Sequence, residues 1–192
     1  MKKIVGALLS SLIFYPNIGY SHEGGFGGGF GAGLAHPVLG FDHLLAMLSV
    51  GILSAQIGGN TIWTIPLAFV SFMLMGGILG INEVALVSVE LGIAFSVLIL
   101  GVALAADKKI PVIITIFFVG IFAIFHGHAH GTEMPFLAEP QLYAVGFIIG
   151  TAGIHIIGVL IGISASKIKQ GWQLLRYIGA SIAGIGFHLI IS

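Results

Sequence analysis

The sequence predicts an all-α integral membrane protein with six transmembrane helices following a cleaved signal peptide. Three observations carry that expectation. The 192 residues are 57% hydrophobic and only 7% charged, with a mean hydropathy of +1.12; a soluble domain of this size has a surface to keep in water and cannot use so much apolar sequence. The apolar residues fall in runs long enough to cross a hydrocarbon core about 30 Å thick. The basic residues collect in links that alternate along the chain, as positive-inside topology requires. Formal net charge is zero, which argues against nucleic acid as a partner, and the absence of cysteine removes disulfides, thiolate metal sites and cysteine nucleophiles together.

Residues 1–21 have the order of a secretory signal peptide: Lys2 and Lys3, a short apolar run from Ile4 to Phe14, then Pro16 and small residues ending at Ser21. Cleavage there leaves His22 as the mature N-terminus; the alternative is an uncleaved first helix. Residues 22–35, HEGGFGGGFGAGLA, are so rich in glycine that the expectation is a flexible periplasmic lead-in, with His22 and Glu23 as a weak first point for catching a cation. The transmembrane domain then occupies residues 36–192. Its first span runs from His36 to Ala55, with Pro37 suited to the first helical turn. A polar link, Gln56 to Thr61, leads to the second span, Ile62 to Ile81, and the turn at Asn82 and Glu83 to the third, Val84 to Ala106. Asp107-Lys108-Lys109 interrupts the pattern, and Pro111 opens a fourth span ending near Gly131. The polar, proline-bounded loop 132–140 precedes the fifth span, Gln141 to Ala165. The basic link Ser166 to Gln173 precedes the last, Leu174 to Ile191.

With the mature N-terminus outside, the links after the first, third and fifth spans are cytoplasmic. Lys108, Lys109, Lys167, Lys169 and Arg176 all lie in or beside the third and fifth links, so the expected location is a bacterial inner membrane with both mature termini in the periplasm. Trp63 and Trp172 land near the same cytoplasmic interface. The first three and last three spans run in opposite senses, which suggests a 3+3 inverted repeat.

Ionisable groups inside lipid are expensive and mark partners, ions or water, so their placement points to chemistry. His36, Asp42 and His43 open the first span in HPVLGFDHLLAM; on one continuous helix His36, His43 and Met47 share a face, with Asp42 about 100° away. Glu90 is expected about 9 Å below the outer end of the third span. The fourth ends FHGHAHGTEMP, where His126, His130 and Glu133 are spaced to share a face and His128 points elsewhere. Three stretches thus bring imidazoles and carboxylates to the outer side, a nitrogen and oxygen donor set suited to nickel, cobalt, zinc or ferrous iron. The reading is a small metal-ion permease. Plainer readings stand beside it: a helix-start network for His36, Asp42 and His43, a helix–helix contact for Glu90, packing for Met47. His155, about 21 Å into the fifth span, is an exit-path ligand or a hydrogen-bonded buried histidine, and His188 leans structural.

HPVLGFDHLLAM, the VELGIAFSVLILG run around Glu90, and FHGHAHGTEMP resemble, in order, the signatures of the HupE/UreJ family of membrane proteins, and the resemblance covers essentially the whole mature chain. It implies uptake of nickel or cobalt, with the ion as cargo and no prosthetic group, and delivery to cytoplasmic metallochaperones for hydrogenase or urease. It carries the family's motif residues onto His36, Asp42, His43, Glu90, His126, His130 and Glu133. It adds Phe69 in a packing or gating role, and makes His128, where the family varies, less essential. No G-x-x-x-x-G-K-[ST] loop is present for ATP hydrolysis. The rival reading is an intramembrane zinc-dependent hydrolase, for which His-x-x-x-His and carboxylates supply donors but the H-E-x-x-H arrangement is missing.

Overall fold

A computed structural model of the chain describes residues 28–108, 110–135 and 138–192. The expected signal peptide, His22 and Glu23 lie outside the described residues. Those residues form seven helices: α1 (Gly28–Leu39), α2 (Phe41–Ile57), α3 (Thr61–Ile81), α4 (Val89–Ala106), α5 (Val112–Thr132), α6 (Pro140–Ser166) and α7 (Gly171–Ile191). The last five are each long and apolar enough to cross a membrane, and α1 with α2 make a sixth crossing if counted as one broken span, bent by 81°. No strand occurs among the described residues.

Two expectations about the first span are corrected. From Gly28 onward its glycine-rich approach is not a flexible lead-in, because Gly28–Leu39 is helical. Glycine is a poor helix former by itself, but here its lack of a side chain lets two backbones touch. Gly33 lies against the Tyr143 carbonyl, and a Cβ there would overlap it; Gly146 lies in the same way against the Phe30 carbonyl. With Gly29 and Gly150 these form two small-xxx-small ridges facing each other, the membrane's usual device for close helix pairing. Packing has overridden propensity. The second correction is the break itself. Pro37 lies inside α1, near its end, rather than in a first turn, and Gly40 takes an extended conformation (φ −86°, ψ 111°) between the helices. His36 and His43 therefore lie on either side of a bend, each against His130, and do not share one helical face.

α2 is the central element, in contact with α1, α3, α4, α6 and α7; the other principal pairings are α3 with α5, α4 with α7, and α1 with α6. Its core residues Met47, Val50, Ile52 and Leu53 are buried with Phe69 and Met73 of α3 and Val97 and Leu100 of α4. At one end of the fold, the Gln56 side chain reaches the Leu104 carbonyl and Arg176 donates to the Ala105 carbonyl at 2.9 Å. Lys108 lies just past the end of α4 at this end, and Lys167 and Lys169 between α6 and α7. Trp63, in the first turn of α3, is exposed there as well. The start of α2 and the end of α5 lie at the opposite end.

Candidate metal centre

The break at Gly40 lies where the histidines gather. α1 supplies His36 from its last turn, α2 supplies Asp42 and His43 from its first, and α5 supplies His126 and His130 from its final two turns, with Glu133 as its C-terminal cap. His36 Nε2 bonds Glu133 Oε2 at 3.1 Å. One donor atom from each of His36, His130 and Glu133 can be chosen so that all lie within 4.8 Å of one another, close enough to share an ion after small rotations. The ring of His130 lies 4.7 Å from that of His36 and 4.4 Å from that of His43, and His43 lies 4.7 Å from His126. Four imidazoles thus form one contiguous chain. The His36 hydrogen bond holds the Glu133 carboxyl below its usual range, against partial burial, so it is a carboxylate at neutral pH.

Hydrogen bonds fix which ring nitrogens are free. Asp42 Oδ1 accepts both the His43 backbone N–H, at 2.8 Å, and the His43 ring Nδ1–H, at 2.9 Å. The proton is then on Nδ1, and His43 Nε2, buried and without a partner, carries a lone pair. The start of α2 favours the negative carboxylate through the helix dipole. On α4, the Ser96 hydroxyl donates to the Ile93 carbonyl at 2.6 Å, so its oxygen must accept from His126 Nε2 at 2.8 Å. That leaves His126 Nδ1 as the unprotonated nitrogen, again buried and unpartnered. Neither ring nitrogen of His130 has a partner. An outer group that holds one imidazole N–H and aims the other nitrogen is the usual support of a metal-ligating histidine. Replacing Asp42 with Asn removes the charge and the fixed tautomer; affinity for a divalent transition-metal ion falls by about 10- to 100-fold, read by calorimetric titration of the purified protein, with the protein still recovered in membranes.

The remaining sequence candidates are placed as follows. His128 is buried but donates to the Val84 carbonyl at 2.8 Å, anchoring the end of α5 to the link before α4. Met47 is fully buried in the apolar core. Phe69 lies against His126, at 5.7 Å between ring centres, and against His155 on the other side, at 5.0 Å. His188 is exposed in the last turn of α7. Glu90 does not lie below the outer end of its helix. Helical structure begins at Val89 and not Val84, after positive-φ residues at Glu83 (56°) and Ser88 (53°), so Glu90 is exposed in the first turn.

Three supporting residues are not among the sequence candidates. Ser96 has a signal in principle, a lone hydroxyl inside an apolar helix, but nothing in the sequence says which histidine it meets. Tyr143, read as an interface anchor, is 4% exposed; its ring lies 5.9 Å from His36 and stacks on Phe147. Phe147 in turn lies 4.3 Å from His130, closing the apolar side of the cluster.

The family model described as HupE / UreJ protein matches residues 10–189. Protein HupE of Rhizobium leguminosarum bv. viciae is 40% identical over 178 residues, covering 92% of each chain. No solved structure matches the chain. A family match across nearly the whole length, with a relative this similar, places the sequence without ambiguity: the chain belongs to the HupE/UreJ family.

Proposed function

We propose that the chain is a permease of the bacterial inner membrane that imports nickel, or cobalt, from periplasm to cytoplasm. The observation that carries this reading is the convergence of free imidazole nitrogens on the break of a membrane helix, at the end of the fold opposite the basic residues. Broken helices line ion sites in transporters because their end carbonyls and dipoles are released for the substrate. An ion approaching this end first meets carboxylates: Glu90, exposed on the first turn of α4, and Glu133, which raise the local cation concentration. It exchanges water for His36, Glu133 and His130, and moves to His43 and His126, whose free nitrogens lie one ring contact deeper. Asp42 and Ser96 hold the tautomers. The arrangement binds weakly enough at each station to release, as a conduit must.

Membership of HupE/UreJ supplies the preference for nickel and cobalt over other ions that the donor set accepts, and cytoplasmic metallochaperones as recipients. The positive-inside rule, applied to the end bearing Lys108, Lys167, Lys169 and Arg176, supplies the orientation. A cleaved leader at residues 1–21 is part of the same reading, and intact mass of the purified protein tests it. The 3+3 repeat gains support from the pairing pattern. Exchanging the first three crossings for the last three turns the α3–α5 pair into the α6–α2 pair and returns α4–α7 to itself.

Proteoliposomes loaded with the purified chain should accumulate radioactive nickel, with cobalt competing. Ion binding without accumulation would refute transport and is the outcome expected of the hydrolase alternative.

A further inference from the structure

The histidine chain does not end at His126. The positions descend along their own helices from the His36 end: His126 is six residues from the end of α5, Phe69 twelve from the end of α3, and His155 fifteen from the start of α6, or about 9, 18 and 22 Å. His155 is 2% exposed, and neither of its ring nitrogens has a hydrogen-bond partner. A buried imidazole left bare in this way has given up its hydrogen bonds to water without replacing them, and its surroundings do nothing to relieve it. Its ring meets the face of Phe69 at 85°; its carbonyl side packs on Gly51, where a Cβ would overlap the His155 oxygen. The sequence alternative of a histidine bonded to a neighbouring helix is therefore not realised. His155 also borders a groove of about 360 Å³ between α3 and α6, lined by Ile62, Trp63, Pro66, Ile148 and Val159. The groove surface is wholly apolar, so no protein group on it supplies the donor that His155 lacks. An ionisable side chain buried in a membrane span without a partner, one aromatic ring away from a row of free imidazoles, marks a position on an ion path.

We propose that His155 is an inner metal-binding station, separated from the outer cluster by the Phe69 ring, which receives the divalent ion from His126 and passes it to the basic end. The proposal rests on the transport reading above and adds the second half of the path. One imidazole with carbonyl or water oxygens makes a weak site, so the ion resides there briefly and the outer cluster dominates equilibrium binding. Phe69 must turn aside for each passage, which makes it the step that keeps the two halves from being continuously connected.

Two measurements on the full chain decide it. The sequence contains no cysteine, so His155→Cys introduces a single thiol at the proposed station. Titrating Co²⁺ into this variant should produce the near-ultraviolet thiolate-to-cobalt charge-transfer band, absent from the unaltered protein. Its absence overturns the proposal. In proteoliposomes, His155→Ala should slow nickel uptake by at least about tenfold while leaving equilibrium nickel binding within about threefold, the split expected when a transit ligand and not the holding site is lost. His155→Gln, of similar volume, reads the same split if the alanine variant is poorly recovered. Uptake at the unaltered rate, or uptake and binding lost in parallel in the glutamine variant, overturns the station. The transport reading fails separately: if the unaltered protein moves no nickel, permeation is wrong, and the band still reports whether an ion reaches position 155.

Discussion

His130→Ala reduces nickel uptake by about 100-fold or more, the largest functional loss expected from any single substitution in the chain. The expectation follows from position. His130 is the one imidazole that touches both His36 at the mouth and His43 further in, and the only histidine of the outer cluster with both nitrogens unpartnered. Loss of a group that merely supports a ligand costs about 10- to 100-fold in metal affinity, and loss of the shared ligand should reach or exceed the top of that range. It also opens a gap between the His36–Glu133 pair and the deeper His43–His126 pair, so an ion caught at the mouth has no donor for the next step. Initial rates in proteoliposomes and nickel titration of the detergent-purified variant measure the two consequences. Uptake within a few-fold of the unaltered rate would show that the ion bypasses the cluster.

The sequence made the long helices easy to find and the site's architecture hard. α3, α5, α6 and α7 are apolar runs of membrane length, and their ends fall close to the expected bounds because polar links punctuate them. The candidate donors also stood out, since histidines and carboxylates are conspicuous in a chain that is 7% charged. What could not be read was how α1 and α2 divide. Glycine density at 24–33 is what a flexible segment looks like, and only the partner ridge at Gly146 and Gly150, more than a hundred residues away, makes the part from Gly28 onward a packed helix. The break at Gly40 follows from that packing: α1 stays on the first half of α6, α2 lies against the second half through Gly51 and Gly158, and the bend reconciles the two. The depth of Glu90 failed for a local reason. An apolar stretch after Asn82 and Glu83 fits helical hydropathy, but the left-handed residues at 83 and 88 hold 84–88 outside the helix. His126 and Ser96 show the remaining limit, because a hydrogen bond between α5 and α4 leaves no mark in either segment.

The broken span also shows how so small a chain gathers histidines and a carboxylate at one end of its helices. A Cβ at Gly40 would come within 2.9 Å of His43 Nδ1 and 3.2 Å of Asp42 Oδ1, so the glycine of HPVLGFDH gives the break its angle and leaves room for the pair that fixes His43. The glycines of FHGHAHG have the same relation to α5. They bring its backbone against α3, which sets the depth of His126, beside Phe69, and of His130 one turn further on. Small residues here set the spacing of the helices that carry the histidines.

That argument yields the largest structural effect. Gly127→Ala should destabilise the protein by about 1–3 kcal/mol or more, whereas Gly77→Ala, on the facing helix, should change stability by no more than about 0.5 kcal/mol. The two glycines face one another across the α3–α5 seam, yet the space around them differs. A Cβ on Gly127 would overlap the Met73 carbonyl and lie 2.9 Å from the Gly77 nitrogen, groups of helical backbone that cannot turn aside; a Cβ on Gly77 meets nothing nearer than the Gly127 oxygen at 3.6 Å, an ordinary contact. Relief of the first clash requires α5 to move away from α3. Such a shift carries His126 off Phe69 and His130 off His36 and His43, so nickel affinity should fall with stability in Gly127→Ala and stay unchanged in Gly77→Ala. Thermal unfolding of both variants in the same detergent, followed by nickel titration below the lower midpoint, tests the pair. Equal midpoints would mean that the seam is loose, and that the depth of the histidines is set by something other than the contact of α5 with α3.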